Sequence, residues 1–266
     1  MWKFARLHVK DLNRIFYLAK ADLIKTYRGS ALGWAWALVQ PLMMVVVYWF
    51  VFRIGWKVTT GEDQPDFFPW LLVGLVAWFF MTSMLSKGTK SLKDYSYLIT
   101  KMKFPISIIP TFVALSGLVV HLVLLVAAML FLAIDGDYGV SIYWLQLPLY
   151  TALMVAFFIT WSLFAAPLAV VSKDFANLVR SSTRILFWLS AILWNIHNVN
   201  IAWLQNFMLF NPISFFVEGY RKSLLGTGWF FEDIKALVAF GVTFAVLLVL
   251  AYVTFKRTRT ALVDAL

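Results

Sequence analysis

The charged residues of this chain are spaced so that long stretches carry none. Between Arg28 and Arg53 lie 24 uncharged residues, between Asp66 and Lys87 there are 20, and between Lys103 and Asp135 there are 31. Further windows run from Asp137 to Lys173 (35 residues), Arg184 to Glu218 (33) and Lys235 to Lys256 (20). A helix needs about 20 mostly apolar residues to cross the hydrocarbon core of a bilayer. No window holds two such helices and a turn, so the pattern predicts six transmembrane helices, over about 32–52, 69–87, 108–133, 147–171, 178–197 and 235–255. The fifth is interrupted by Asn195, His197, Asn198 and Asn200. Composition agrees: of 266 residues, 62% are hydrophobic and only 14% charged, where soluble domains carry about 25% charged residues. A soluble chain could not cover its core with so few charges, and with no Cys it has no disulfide framework. In lipid the backbone must be satisfied inside each segment, so the fold class is an all-α integral membrane protein.

Six crossings put both termini on one side. The segments on that side (1–28, 87–103, 173–184 and the 256–266 tail) hold 18 Lys and Arg, while the opposite loops hold five. Counting acids as well, the two sides sum to +13 and −3, out of a net +10. The positive-inside rule makes the basic side cytoplasmic, which predicts a multi-pass membrane protein with both termini inside. The basic balance is thus an orientation signal. Nucleic-acid binding would need that charge on one folded face, and no nucleic-acid partner is expected.

Residues 1–28 form the first unit, followed by a transmembrane domain over 29–266. The first unit lacks the apolar region and cleavage site of a signal peptide. Ala5, Val9, Leu12, Phe16, Ala19, Leu23 and Tyr27 recur at helical steps, with Lys3, Arg6, Lys10, Arg14, Lys25 and Arg28 on the other side. This is an amphipathic helix suited to the cytoplasmic membrane interface, although a helix packed on a cytosolic partner has the same pattern. Lys25 and Arg28 stand where an anionic lipid head group would approach. In the loop 87–105, a short helix over about 91–102 is expected. Ser91 is its N-cap, Asp94 completes a variant capping box, and Leu92, Tyr95, Leu98 and Ile99 form its apolar side. Pro105 ends it, and the same stretch also reads as a solvated basic connector. On the outer side, about 198–226 is too apolar for a loop and too broken for a span, which suggests short re-entrant helices. Asp135-Gly-Asp-Tyr-Gly139 reads as a tight turn, since a calcium loop needs more oxygen ligands.

The chemistry absent from the sequence narrows the function. Lys87-Gly-Thr-Lys-Ser91 lacks the order and spacing of a phosphate-binding P-loop. His8, His121 and His197 lie far apart, and no metal site or catalytic constellation is expected. His121 is the clear ionisable residue inside a span and reads most simply as a packed, hydrogen-bonded histidine. Mid-membrane carboxylates of the kind used by ion-coupled pumps are missing. The aromatics are abundant: 13 Trp, 25 Phe and 10 Tyr. Aromatic faces can pack on the C–H faces of sugars, so Trp36, Tyr48, Trp188 and Trp194 are candidates for a polymer track. For any one of them, core or lipid-facing packing is the favoured account.

The run Ala21-Asp-Leu-Ile-Lys-Thr-Tyr-Arg-Gly-Ser-Ala-Leu-Gly-Trp-Ala-Trp-Ala-Leu-Val-Gln-Pro41 resembles the membrane subunits of ABC exporters for lipid-linked cell-surface polysaccharides. Lys25, Tyr27, Ser30, Leu32, Gly33, Trp36 and Pro41 occupy places comparable to that family's pattern, and Phe104-Pro105 and Asn211-Pro212 look like family features. The resemblance covers essentially the whole chain. Val47-Tyr-Trp-Phe-Val-Phe52 and Lys101-Met-Lys-Phe-Pro-Ile106 look most like the wall teichoic acid exporters, with O-antigen and capsule exporters as the close alternative.

The resemblance implies a permease of the bacterial plasma membrane that is no enzyme by itself but the pore-forming subunit of an ATP-driven translocase. Two copies of the chain would pair with two ATP-binding cassette ATPase subunits. ATP and Mg would sit on the ATPase, and this chain would bind no cofactor. The helix near 91–102, with Ser91, Leu92, Asp94, Tyr95 and Leu98, would carry the ATPase's motion to the spans. An undecaprenyl-linked polymer would approach from the cytoplasmic leaflet near Lys25 and Arg28 and pass along a tunnel lined by Trp36, Tyr48, Trp188 and Trp194. Two other classes stay open: a membrane-embedded glycosyl- or acyltransferase, for which Asp135, Asp137, His121 and His197 offer a poor site, and an ion channel, for which no filter signature appears.

Overall fold

The computed structural model describes residues 11–55, 67–102, 104–135 and 138–265. Among these residues every regular element is helical. Helix α1 is Leu12–Tyr27, and α2 is Trp36–Trp49, entered through a 3₁₀ turn at Gly33–Ala35 and left through a π-helical turn at Phe50–Gly55. Helix α3 (Phe67–Ser83) runs through a π-helical turn (Met84–Gly88) into α4 (Thr89–Asp94) and α5 (Ser96–Met102). The long helices α6 (Ile108–Asp135) and α7 (Leu147–Val171) follow, then α8 (Lys173–Leu189), α9 (Ala202–Leu209), α10 (Pro212–Leu224) and α11 (Ile234–Ala265).

Five stretches of the described residues are long and apolar enough to cross a membrane: Gly33–Phe52, Phe67–Thr100, Ile108–Ile134, Ile142–Val171 and Ile234–Thr258. They coincide with five of the six windows read from the charges. Helix α3 is apolar all round and lies at the centre, with Leu71, Val73, Leu75, Ala77 and Met81 fully buried. Helices α6 and α10 pack against it, α7 packs on the Met84–Gly88 turn and α4, and α11 lies along α7. The core is aromatic where α7, α10 and α11 meet: Phe215 stacks on Phe240 at 4.2 Å, and Phe157 packs edge-on to Phe216.

The expected fifth span, 178–197, is not one continuous helix. Its helix, α8, has only 17 residues and ends at Leu189. Ser172 caps its start by accepting a hydrogen bond from the Phe175 amide at 3.3 Å. Lys173, Asp174, Arg180 and Arg184 all lie on it, so its apolar length is short. It stops because Ser190 leaves the helical conformation and Ala191 takes a left-handed φ of 53°. The next carbonyls are then free to turn towards Arg221. Helix α8 touches the Met84–Gly88 turn, its Phe187 ring packs on Trp78 of α3 at 5.3 Å, and Ala191 just after it shares Arg221 with Trp70.

The capping box expected at Ser91 does not form. The second span does not end at Lys87 but continues as helix, so the Ser91 amide already lies inside a turn, and Ser91 Oγ donates back to the Gly88 carbonyl at 2.7 Å. The helix breaks at Tyr95 instead, where φ is −116° and ψ 22°. The stripe expected on the N-terminal helix is also rotated. Ala5 and Val9 lie outside the described residues. Within α1 the deeply buried positions are Ile15 and Ala19, packed against Leu92, Tyr95, Leu98 and Phe112, while Leu12 and Phe16 are exposed. The helix thus has one apolar side for its own bundle and a second, with Phe16, Tyr17 and Ile24, facing outwards. Within the stretch 198–226, where re-entrant helices are expected, lie two short helices, α9 and α10. Asn211 caps α10 by accepting from the Ile213 amide at 3.0 Å, and Pro212 occupies its first turn.

Candidate functional site

The two ends of the bundle are built differently. At the end carrying α1, the last turn of α1, the start of α2, the end of α3 and the middle of α6 enclose a cavity of about 450 Å³. Tyr27, Trp36, Gln40, Ser83 and Lys87 line it, and His121 closes it towards the interior. A second cavity of about 380 Å³ adjoins it between α1 and α4, lined by Asp22, Lys25, Ser91, Asp94 and Tyr95. The two share Thr26 and Lys87, so Lys87 stands between them.

Packing and polar contacts together hold α1 to the short helices α4 and α5. The Tyr95 hydroxyl donates to Asp22 Oδ1, and Lys25 Nζ lies 4.7 Å from the centre of the Tyr95 ring. Tyr95 is therefore gripped by α1 through its hydroxyl and its face, and it packs edge-on to Phe112 of α6 at 4.9 Å. Of the residues expected to meet a partner, Ser91, Leu92, Tyr95 and Leu98 are buried inside this junction. Asp94 is exposed, beside Lys90, Lys93 and Tyr97. A partner approaching α4 and α5 would touch those four, while Leu92 and Leu98 anchor the segment.

Lys25 therefore faces the smaller cavity, whereas Arg28 is exposed at the end of α1 and lines neither cavity. Trp36 lines the larger cavity and is 38% exposed. The other three expected track residues are elsewhere. Tyr48 lies about 18 Å further along α2 at 1.5 Å per residue. Its ring packs on Phe187 of α8 at 5.2 Å, and Phe187 packs on Trp78 at 5.3 Å. Trp188 is more than half exposed next to them, and Trp194 Nε1 donates to the Trp188 carbonyl at 2.8 Å. The structure thus gathers Tyr48, Trp188 and Trp194 near the end of α8 and leaves Trp36 apart.

At the end carrying α10 lies a charge that the sequence reading placed in a loop. Arg221 is 3% exposed. Its Nε donates to the Trp70 carbonyl (3.3 Å), Nη1 to the Ala191 carbonyl (3.0 Å) and to Glu218 Oε1 (2.7 Å), and Nη2 to the Ile192 carbonyl (2.7 Å). The guanidinium carbon also lies 3.3 Å from the centre of the Trp70 ring. A Cβ at Gly74 would stand 2.8 Å from Nη2, so the bare backbone there makes room for the guanidinium. One side chain thus ties α10, the top of α3 and the break after α8. Nearby, the Tyr220 hydroxyl lies 2.8 Å from His121 Nε2 and 2.7 Å from Thr151 Oγ1. This joins α10 to α6 and α7 and places His121 in the hydrogen-bonded packing role expected of it. Sequence reasoning missed Lys87 and Gln40 as cavity residues and Arg221 as a pin. Only the Glu218-x-x-Arg221 spacing on an apolar helix signalled the last.

A bundle of apolar helices, with a polar cavity at one end and short broken helices at the other, defines a polytopic membrane protein of the transporter kind. The sequence profile of the ABC-2 type transporter family matches residues 13–225, and the chain belongs to that family of transporter membrane subunits. Among its relatives is the O-antigen export system permease protein RfbA of Myxococcus xanthus, 24% identical over 254 residues and covering 94% of each chain. Two proteins of the same name from Klebsiella pneumoniae are each 23% identical, one over 86% of both chains and the other over 84% of this chain and 85% of its own length.

Proposed function

We propose that this chain is the membrane subunit of an ATP-driven exporter that moves a lipid-linked cell-surface polysaccharide outwards across the plasma membrane. The observation that carries this reading is the family match over residues 13–225, joined to O-antigen export permeases that align with up to 94% of the chain. An O-antigen type of polymer is the first choice of cargo, because those relatives carry it in their names. Wall teichoic acid is the second, supported by the resemblance of Val47–Phe52 and Lys101–Ile106.

In this reading two copies of the chain pair with two ATPase subunits, which hold ATP and Mg. The α1 end faces the cytoplasm, in keeping with the positive-inside count. Helix α8 and the segment after it make the sixth crossing, supported by the contacts of Phe187 with Trp78 and of Ala191 with Arg221 beside Trp70, and this brings both termini to the cytoplasmic side. The ATPase bears on Lys90, Lys93, Asp94 and Tyr97, and the Tyr95 junction passes its motion to α1 and so to the mouth of the cavity. The undecaprenyl-linked head group is drawn in by Arg28, Lys25 and Lys87. Trp36 meets it first, and Tyr48, Trp188 and Trp194 line the path between the two copies. Co-expression with the ATP-binding cassette ATPases of the same organism tests the reading, one of them being the expected partner. The two should co-purify, and deleting this chain should remove the polymer from the cell surface while lipid-linked polymer accumulates inside. Polymer at the surface without the chain would refute it.

A further inference from the structure

A third cavity, of about 220 Å³, lies at the α10 end, between α9, α10, the outer end of α7 and the start of α11. Its walls mix aromatic faces with polar groups. Phe215 is held rigidly, stacked on Phe240 at 4.2 Å and packed against Tyr150 at 5.7 Å, and Phe230 stands on another wall. Tyr150 is only 4% exposed and lines the cavity, yet among the described residues its hydroxyl has no hydrogen-bond partner. The hydroxyl is open to the cavity, so it is free to donate to or accept from whatever enters. The ring is held in place by a bare backbone: a Cβ at Gly219 would stand 2.2 Å from Tyr150 Cε1 and 2.5 Å from Cζ. Asn206 also lines the cavity and has no side-chain partner among the described residues.

The charges around the cavity cancel. Glu218 is paired with Arg221 at 2.7 Å, and Lys222 with Asp233 at 3.7 Å. A strongly anionic or cationic ligand gains little there. A neutral ligand with many hydroxyls gains from every wall: carboxylate oxygens accept its O–H groups, Tyr150 and Asn206 donate or accept, and its C–H faces rest on Phe215 and Phe230. We propose that this outer cleft binds one neutral saccharide unit. The chemistry is the same for a sugar of a passing polymer and for a free sugar. The first source rests on the exporter reading above; the binding chemistry does not.

The test uses the full chain in lipid nanodiscs and saturation-transfer NMR. The probes are methyl α-D-mannopyranoside, methyl N-acetyl-β-D-glucosaminide and the anion glycerol 3-phosphate. At least one neutral glycoside should bind saturably and glycerol 3-phosphate should not. Tyr150→Phe, which keeps the ring and removes only the hydroxyl, should weaken the glycoside about five-fold or more, the size of one lost hydrogen bond. Asn206→Ala should also weaken it, at a surface position that leaves the fold intact. No saturable glycoside binding, or equal binding by Tyr150→Phe and wild type, would overturn the proposal. Tighter binding of glycerol 3-phosphate than of either glycoside would overturn it too. Slower polymer export by Tyr150→Phe assigns the cleft to the polymer, whereas lost binding with unchanged export assigns it to a free sugar. Glycoside binding without export in a strain holding the ATPase would remove the exporter reading and leave the cleft; export without glycoside binding would do the reverse.

Discussion

The α1 end and the α10 end of the bundle both bring charged residues up against apolar helices, but they hold them differently. At the α1 end Lys25, Lys87 and Arg28 are exposed, and the helices are joined by Tyr95, Phe112 and a side of small and aliphatic residues. At the α10 end Arg221 is buried and makes four hydrogen bonds, three of them to backbone carbonyls. The first arrangement leaves charge free to meet a ligand and leaves a joint that can move. The second spends its charge on holding three segments together. A translocating subunit needs both, one end that responds and one that stays closed until it is driven.

Changing Arg221 should have the largest effect. Arg221→Met removes the guanidinium and leaves Glu218 and three carbonyls without their donor. It should cost about 3–5 kcal/mol, as for other broken buried pairs, seen as a sharp fall in the thermal midpoint in detergent and in the yield of folded protein. A midpoint within a degree or two of wild type would mean that the α10 end is not pinned by this residue. Tyr220→Phe comes next. It strips the hydroxyl shared by His121 and Thr151 and should cost about 1–3 kcal/mol, read by the same melt. Both variants test rigidity.

At the other end the sign of the comparison reverses: stability should change little and function much. Tyr95→Phe keeps the buried ring but loses the bond to Asp22, for a stability cost of about 1 kcal/mol. It should uncouple the ATPase, so that ATP hydrolysis by the assembled complex continues while export falls. Full export would show that the Tyr95 grip carries no motion. The smallest structural effect is expected for the triple change Lys25→Ala, Arg28→Ala and Lys87→Ala. These are exposed positions, where substitutions usually shift stability by about 0.5 kcal/mol or less. Export and substrate-stimulated ATPase should still drop, and unchanged values would remove these cations from head-group capture.

Much of the fold was legible because lipid forbids what water allows. Charges mark where a helix leaves the bilayer, so α6 and α7 begin where the windows said. The same logic failed for α8. The window from Arg184 to Glu218 contains no charge, yet the chain breaks inside it at Ser190 and Ala191, because carbonyls freed there are used by Arg221. That partner is 30 residues away for Ala191 and 151 for Trp70, so no local pattern could show it. The same holds for the Ser91 cap: a local rule is sound only if the helix starts there, and tertiary packing carried the second span past it. Of the site, Lys25 and Trp36 were visible through their position in a recognisable run. Lys87 looked like a boundary charge, and Gln40 had no signal beyond being polar in a span. The cleft at the α10 end depends on Gly219 lying under Tyr150, 69 residues away in sequence, which the sequence does not reveal.

The central claim is that this chain carries a polysaccharide outwards only when an ATPase drives it. Inside-out vesicles holding the chain and its ATPase, loaded on their cytoplasmic face with lipid-linked polymer, measure this directly. The account predicts that polymer becomes protected inside the vesicles with ATP and Mg, and stays outside without ATP or without this chain. Protection that proceeds equally without ATP, or with the ATPase alone, would contradict it.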